Sequence, residues 1–217
     1  MQPNSINKLL LSNEFQDLLS DISETTLDSI LEDGILKDVP IFGILFKSKN
    51  LYSTIQDKLF AKKLFKFLKQ LEATELEQRQ KLIEKINTDK KYRISVGEKI
   101  LFLIDKCEDD DKAEILGVFF QKLISGIINY DELLRLSNSI NLISSNDLQE
   151  FITADTFIES FIKSNASIYL KSGLVEFKLK SNLEKKDRAI NSQDIELIYI
   201  PSELGKLLKK ILKEFYR

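Results

Sequence analysis

Histidine and tryptophan are absent from this 217-residue chain, and cysteine occurs once, at Cys107. Without imidazole there is no Ser-His-Asp or Cys-His nucleophile pair and no His-ligated zinc. Nor is there a base that titrates near neutrality without a shifted pKa. A lone cysteine excludes an intrachain disulfide and a CxxC metal or redox pair. Any catalysis would have to draw on carboxylates, Lys, Tyr or a hard cation held by oxygen ligands. Phosphate-cradling glycine loops are missing too, since neither GxxxxGKS, GxxxxGKT nor GxGxxG occurs. No cofactor, metal or catalytic centre is expected.

Long apolar runs are equally scarce. The longest is Val39 to Phe46, VPIFGILF, whereas a bilayer-spanning helix needs about 20 such residues, so no transmembrane span is expected. The start, MQPNSINKLLLSNEF, lacks the apolar core of a secretion signal, which predicts a reducing, cytoplasmic setting. Lys outnumbers Arg 27 to 5, and Ile and Asn are frequent, a bias associated with AT-rich bacterial genomes.

Proline occurs only at positions 3, 40 and 201, so no ring breaks a helix between Ile41 and Ile200. Over most of that stretch the apolar spacing is helical. Leu51, Ile55, Leu59, Leu64, Leu68 and Leu71 predict one stripe of a helix from about Ser48 to Glu72. Leu82 and Ile86 mark a shorter helix; Ile94, Gly97, Leu101 and Ile104 mark the next, ending before Glu108-Asp109-Asp110-Asp111. These acids suit a first helical turn, with Asp109 as cap, better than a calcium loop, which would need a glycine and a glutamate that are missing here. That helix carries Ile115, Leu116, Phe119, Phe120, Leu123 and Ile127. A further one follows from Tyr130 to Ile140, and Ser145-Asn146-Asp147 signals a cap before a helix from Leu148.

After Leu170 the period changes. Lys171-Ser172-Gly173 reads as a turn, and Leu174 to Lys180 alternates as a strand. Ile195 to Ile200 is a second strand beyond a polar stretch, and Pro201 is placed to open a terminal helix. Helices, a hairpin with a long polar tip and a closing helix give the element order of a winged-helix-like module. The expected fold is mainly α: a multi-helix domain over residues 1–145, then a winged-helix-like domain with one β-hairpin over 146–217.

Glu176-Phe177-Lys178 matches the ExK fragment of metal-dependent nucleases. Its nearest acidic companion, Asp155, falls in a predicted helix, and a solvated strand face alternating with inward Val, Phe and Leu explains the same residues. Charge by segment is more informative than the total of −2. Residues 1–46 sum to −6, residues 47–69 to +6 and residues 171–217 to +4. Lys58, Lys62, Lys63, Lys66 and Lys69 line one amphipathic helix, and Lys206, Lys209, Lys210, Lys213 and Arg217 the last. Lys178, Lys180, Lys185, Lys186 and Arg188 add cations to the hairpin. Such faces suit phosphate backbones, anionic membrane surfaces, a protein partner or self-association, or they are solvated faces, the first packing against the acidic N-terminal segment. The helix before the hairpin, DTFIESFIKSNASIYL, carries one cation, Lys163, against Asp155 and Glu159. That disfavours reading a DNA groove. Val39 to Phe46 reads as a buried connector, with a membrane-dipping wedge as the alternative.

Several of these segments carry a resemblance: Lys37 to Gly43, Leu59 to Leu64 with Phe67-Leu68, Glu98 to Leu101, Asp111 to Gly117, Ile128 to Glu132 and Pro201 to Lys206. Together they resemble a family of uncharacterised bacterial proteins, and the C-terminal part is similar to the abortive infection alpha proteins, which are associated with phage resistance. The resemblance covers about residues 30–212 and implies a helical body, a winged-helix-like end and a role in phage defence. The resulting expectation is a non-enzymatic bacterial interaction protein. Its alternatives are a non-specific nucleic-acid binder using the basic hairpin and last helix, or a membrane-surface effector.

Overall fold

The computed structural model describes residues 3–20, 54–88, 96–153, 166–181 and 195–216. The described residues are mainly helical, with one two-stranded antiparallel hairpin. Val39 to Phe46, residues 155–165 of the helix predicted over 155–170 and the hairpin tip with Lys185, Lys186 and Arg188 lie outside the described residues. So does Arg217. The chain forms two compact units, Met1–Leu133 and Leu134–Arg217.

The first unit holds α1 (Pro3–Leu10), α2 (Phe15–Ser20), α3 (Ile55–Lys69), α4 (Leu76–Thr88), α5 (Val96–Lys106) and α6 (Asp110–Ile124). Thr54 starts α3 with a capping box: its hydroxyl accepts from the Asp57 amide at 3.1 Å, and Asp57 accepts from the Thr54 amide at 3.3 Å. Asp109 caps α6 as expected, accepting from the Lys112 amide at 2.8 Å. Most positions of α6 are buried, including Ile115, Leu116, Phe119 and Phe120, so it is the central helix of this unit. It lies against α3, where Phe67 and Phe120 tilt at 56° with centroids 5.6 Å apart. Gly117 allows this approach, because a Cβ there would sit 2.6 Å from the Phe67 carbonyl oxygen. Gly126, at φ 72°, then ends the turn after α6. Its amide donates to the Leu123 carbonyl and the Ile127 amide to that of Lys122, the two bonds of a Schellman motif.

The expected stripe on α3 is corrected in its first half. Ile55 and Leu59 are 77% and 55% exposed, while Ala61, Leu64, Phe65, Phe67 and Leu68 form the buried side. A step of five residues from Leu59 to Leu64 turns a helix by about 140° past its starting face, so the two sets cannot face the same neighbour.

A buried arginine joins the elements of this unit. Arg79 in α4 is 2% exposed, and its Nε donates to the Leu10 carbonyl at 2.7 Å. Its other nitrogen donates to the Thr74 carbonyl and hydroxyl, and its guanidinium lies 4.6 Å over the Phe15 ring. Gln16 donates to the carbonyls of Glu72 and Thr74 at 2.9 and 3.3 Å. Burial pulls the Arg79 pKa below its ordinary value, against the opposing field of Glu75.

α7 (Tyr130–Asn141) contains the division between the units. In the second unit, α8 (Ser145–Thr153) begins earlier than the expected Leu148. Ser144 is its cap, accepting from the Asp147 amide at 3.1 Å. Residues 166–171 are helical, and Gly173, at φ 76°, closes them with a second Schellman pair, Gly173 to Leu170 and Leu174 to Tyr169. Tyr169 is fully buried, its ring 5.4 Å from that of Phe151 and its hydroxyl donating to the Asp147 carbonyl at 3.2 Å. Ser139 donates to the Ser172 carbonyl at 2.6 Å.

β1 (Val175–Ser181) pairs antiparallel with β2 (Ile195–Pro201), with Phe177 opposite Tyr199 and Leu179 opposite Leu197. The terminal helix α9 (Glu203–Leu212) starts later than expected. Pro201 closes β2, and Ser202 is the cap, accepting from the Gly205 amide at 3.0 Å. A serine hydroxyl supplies an acceptor for the open helical turn, which proline lacks. Ser202 also donates its amide to the Leu174 carbonyl at 3.0 Å and its hydroxyl to that of Gly173 at 2.6 Å. Gly205 completes the junction, since a Cβ there would collide with the Leu174 carbonyl.

Candidate interaction surfaces

The basic face of α3 is largely committed within its own unit. Lys62 lies 3.5 Å from Asp110, and Lys66 lies 3.3 Å from Glu114, which also accepts from Gln70 at 2.8 Å. Lys63 donates to the Cys107 carbonyl. Lys69 pairs with Glu72 at 2.7 Å and donates to the Leu19 carbonyl at 3.2 Å. Lys58 is half-buried in the first turn. The acids meeting this face therefore come mainly from the first two turns of α6, where they also oppose the positive end of the helix dipole. Glu108 engages Lys112 at 2.8 Å, the lysine stem being buried beneath it. Of the N-terminal segment expected to pack on this face, residues 21–46 with most of its acids lie outside the described residues; Lys69 reaches the Leu19 carbonyl of the described part. Three of the five lysines on this face thus meet a carboxylate, and Lys63 meets a neutral carbonyl. Cys107, beside this cluster, is buried, and desolvation pushes its thiol up to about 11, so it is no nucleophile at neutral pH.

A cleft of about 320 Å³ in the first unit is lined by Leu82, Lys85, Ile127, Asn129, Tyr130 and Glu132 among others. Two of its polar groups serve the start of α7: Glu132 accepts from the Asn129 amide at 2.7 Å, and Asn129 from the Glu132 amide at 2.9 Å.

The C-terminal cations have a different setting. Lys206 pairs with Glu203 at 2.6 Å, which raises the lysine pKa and lowers that of the carboxyl. Lys209 sits 5.1 Å over the Phe151 ring, a cation held on an aromatic face. Lys178 lies 4.0 Å from Glu176 on the same strand face. Lys180, Lys210 and Lys213 are exposed. Carboxylates are thus interleaved with the cations along β1 and the first turn of α9. Glu176 of the ExK fragment is half-exposed and meets a lysine, and Asp155 lies outside the described residues.

The surface that sequence reasoning missed is apolar. The alternation in β1 predicts that Phe177 and Leu179 turn inward, yet they are 57% and 66% exposed, and Leu197 opposite them is 45% exposed. With half-buried Tyr199 they make one face of the hairpin. Val175, one pair nearer the root, is buried. The other face carries Glu176, Lys178 and Lys180. Period two assigns residues to faces but does not say whether a face has a neighbour. The pairing of Phe with Tyr and Leu with Leu across the two strands was the available signal.

Among the described residues no helix is long and apolar enough to cross a membrane. Compared with protein-family profiles, curated proteins and solved structures, the chain matches nothing.

Proposed function

We propose that the chain is a non-enzymatic interaction protein of bacterial phage defence, acting through a winged-helix-like C-terminal module. The observation that carries the interaction reading is the exposed face of Phe177, Leu179 and Leu197, held on a hairpin whose root is fixed by Ser202. Large apolar side chains grouped on one strand face cost solvation free energy unless a partner covers them. The order of α8, hairpin and α9 supports the winged-helix reading. The resemblance to the abortive infection alpha proteins supplies the defence context.

The test is a plating assay on cells expressing the wild type or a Phe177→Asp/Leu179→Asp variant that keeps the wild-type melting temperature. Protection by the wild type, lost in the variant, is the expected result. Equal protection by both would remove the hairpin from the function. Nucleotide or nucleic-acid turnover by the pure protein, lost in Glu176→Ala, would overturn the non-enzymatic reading.

A second reading is favoured by the exposure of Lys180, Lys210 and Lys213: non-specific binding of a phosphate backbone. It predicts affinity that falls steeply with salt and weakens when Lys180, Lys185, Lys186 and Arg188 are neutralised. Binding that ignores both changes would remove it.

A further inference from the structure

We infer that the partner of the hairpin is a second copy of this chain, paired antiparallel through the outer edge of β1 with Phe177 on the two-fold axis. This rests on reading the hairpin as the interaction surface, and names what it binds.

Among the described residues the sheet has two strands and no third strand pairs with either. Among the described residues, the outer edge of β1 is thus a row of backbone donors and acceptors that no strand pairs with, the usual template for strand addition. Charge patterning selects who adds to it. In a two-fold antiparallel pair, directly opposite residues share a face, so only registers that match apolar with apolar and polar with polar keep the two faces of β1 intact. With Phe177 on the axis, Glu176 of each copy meets Lys178 of the other, Val175 meets Leu179, and the two Phe177 rings meet each other. Each of these three kinds of cross-strand pair is favourable.

The neighbouring registers each introduce a like-charge pair that the Phe177 register lacks. Placing Lys178 on the axis sets it against its own copy, between two Glu176–Lys180 pairs, and placing Leu179 there sets Lys178 against Lys180 twice. Placing Glu176 on the axis opposes two carboxylates. β2 offers no equivalent, since its sequence carries a single charge, Glu196, and no two-fold register gives it a cationic partner. Glu176 and Lys178 meet only at 4.0 Å within one chain and are 50% and 65% exposed, so they remain accessible for cross-strand pairing. The resulting four-stranded sheet joins the two apolar faces into one.

The experiment uses the full chain in sedimentation equilibrium across a concentration series. The wild type is expected to dimerise reversibly. Glu176→Lys or Lys178→Glu alone turns both cross-strand pairs repulsive and should weaken the dimer by about tenfold or more. The Glu176→Lys/Lys178→Glu double variant re-forms both pairs and should recover wild-type affinity to within about threefold. Cysteine cross-linking fixes the register. Opposite Cα atoms lie about 4.5–5.5 Å apart, within disulfide reach, so Phe177→Cys should oxidise readily to a covalent dimer. Leu179→Cys should not, because its counterpart lies about 13 Å away along the strands.

A wild type that stays monomeric at every concentration overturns the inference, as does a dimer indifferent to the single charge changes. Failure of the double variant to recover, with its melting temperature intact, does the same. So does cross-linking of Leu179→Cys as fast as Phe177→Cys. A monomeric wild type whose phage protection still depends on Phe177 and Leu179 would refute self-pairing while leaving the interaction reading standing.

Discussion

Arg79 is a buried cation whose partners are two carbonyls, a hydroxyl and an aromatic face. Replacing it with Met keeps most of the stem's volume and removes the fork. The Leu10 carbonyl then loses its donor from Arg79, whereas the Thr74 carbonyl still receives Gln16 at 3.3 Å. A hydrogen bond from a charged donor is worth about 1.5–3 kcal/mol when deleted, and the cation–aromatic contact adds about 1 kcal/mol. Relief from desolvating the guanidinium returns part of this, so the net loss should be about 3 kcal/mol. For a unit of this size that corresponds to a fall of roughly 10 °C in melting temperature. Arg79→Lys retains the charge but can serve only one of the two sites, and should fall between the two. Urea denaturation followed by circular dichroism measures the change. Hydrogen exchange supplies the local signature, because amides of α1 should lose protection first once Leu10 is untied from α4. A Met variant as stable as the wild type would refute the reasoning, showing that stem packing rather than the donor fork holds α1 in place.

Gly117→Ala should destabilise the first unit by about 2 kcal/mol despite the better helix propensity of alanine, because the added methyl meets the Phe67 backbone carbonyl; a thermal melt showing equal or higher stability would contradict the close α3–α6 approach. Glu114→Ala removes the acceptor that Lys66 and Gln70 share and should cost about 2 kcal/mol in urea denaturation, while Lys81→Ala, which removes a solvent-exposed ion pair with Glu77, should leave the urea midpoint unchanged. Cys107 should resist a thiol reagent in the native protein at pH 8 and react at once in denaturant, so fast native labelling would show that its site is open. Its folded pKa, raised from 9.0 to about 11, favours the neutral thiol. That stabilisation is whole below pH 9 and is lost as pH rises toward 11, which an alkaline stability series should reveal as a decline in wild type that is smaller in Cys107→Ala.

Local signals in the sequence placed most of the elements. Asp109 before α6, the glycine after Leu170 and the alternation around Phe177 each act over three to seven residues, and each has its expected structural counterpart. Errors arose where a local signal had a competitor nearby. Pro201 suits a first helical turn, but Ser202 beside it carries the acceptor, and the strand register runs through the proline. At Ile55 and Leu59 the apolar period continued in sequence while the packed face of α3 rotated away. Surfaces were less legible than elements. A row of lysines on α3 looks the same in sequence whether it faces solvent or the carboxylates of α6, because those partners lie more than forty residues away. The exposed hairpin face was hidden by the assumption that alternation implies an interior.

The Ser202 junction has a consequence for how this protein can vary. Strand end, preceding turn and helix start share one side chain and its amide, so the hairpin is defined at its base independently of its far end. Residues added to the connection between β1 and β2 would leave that base untouched, each doubling of loop length costing only about 0.6 kcal/mol of closure entropy. Lineages could therefore lengthen, shorten or recharge the hairpin end while keeping the same anchored stem, which makes this the segment where new recognition is cheapest to evolve.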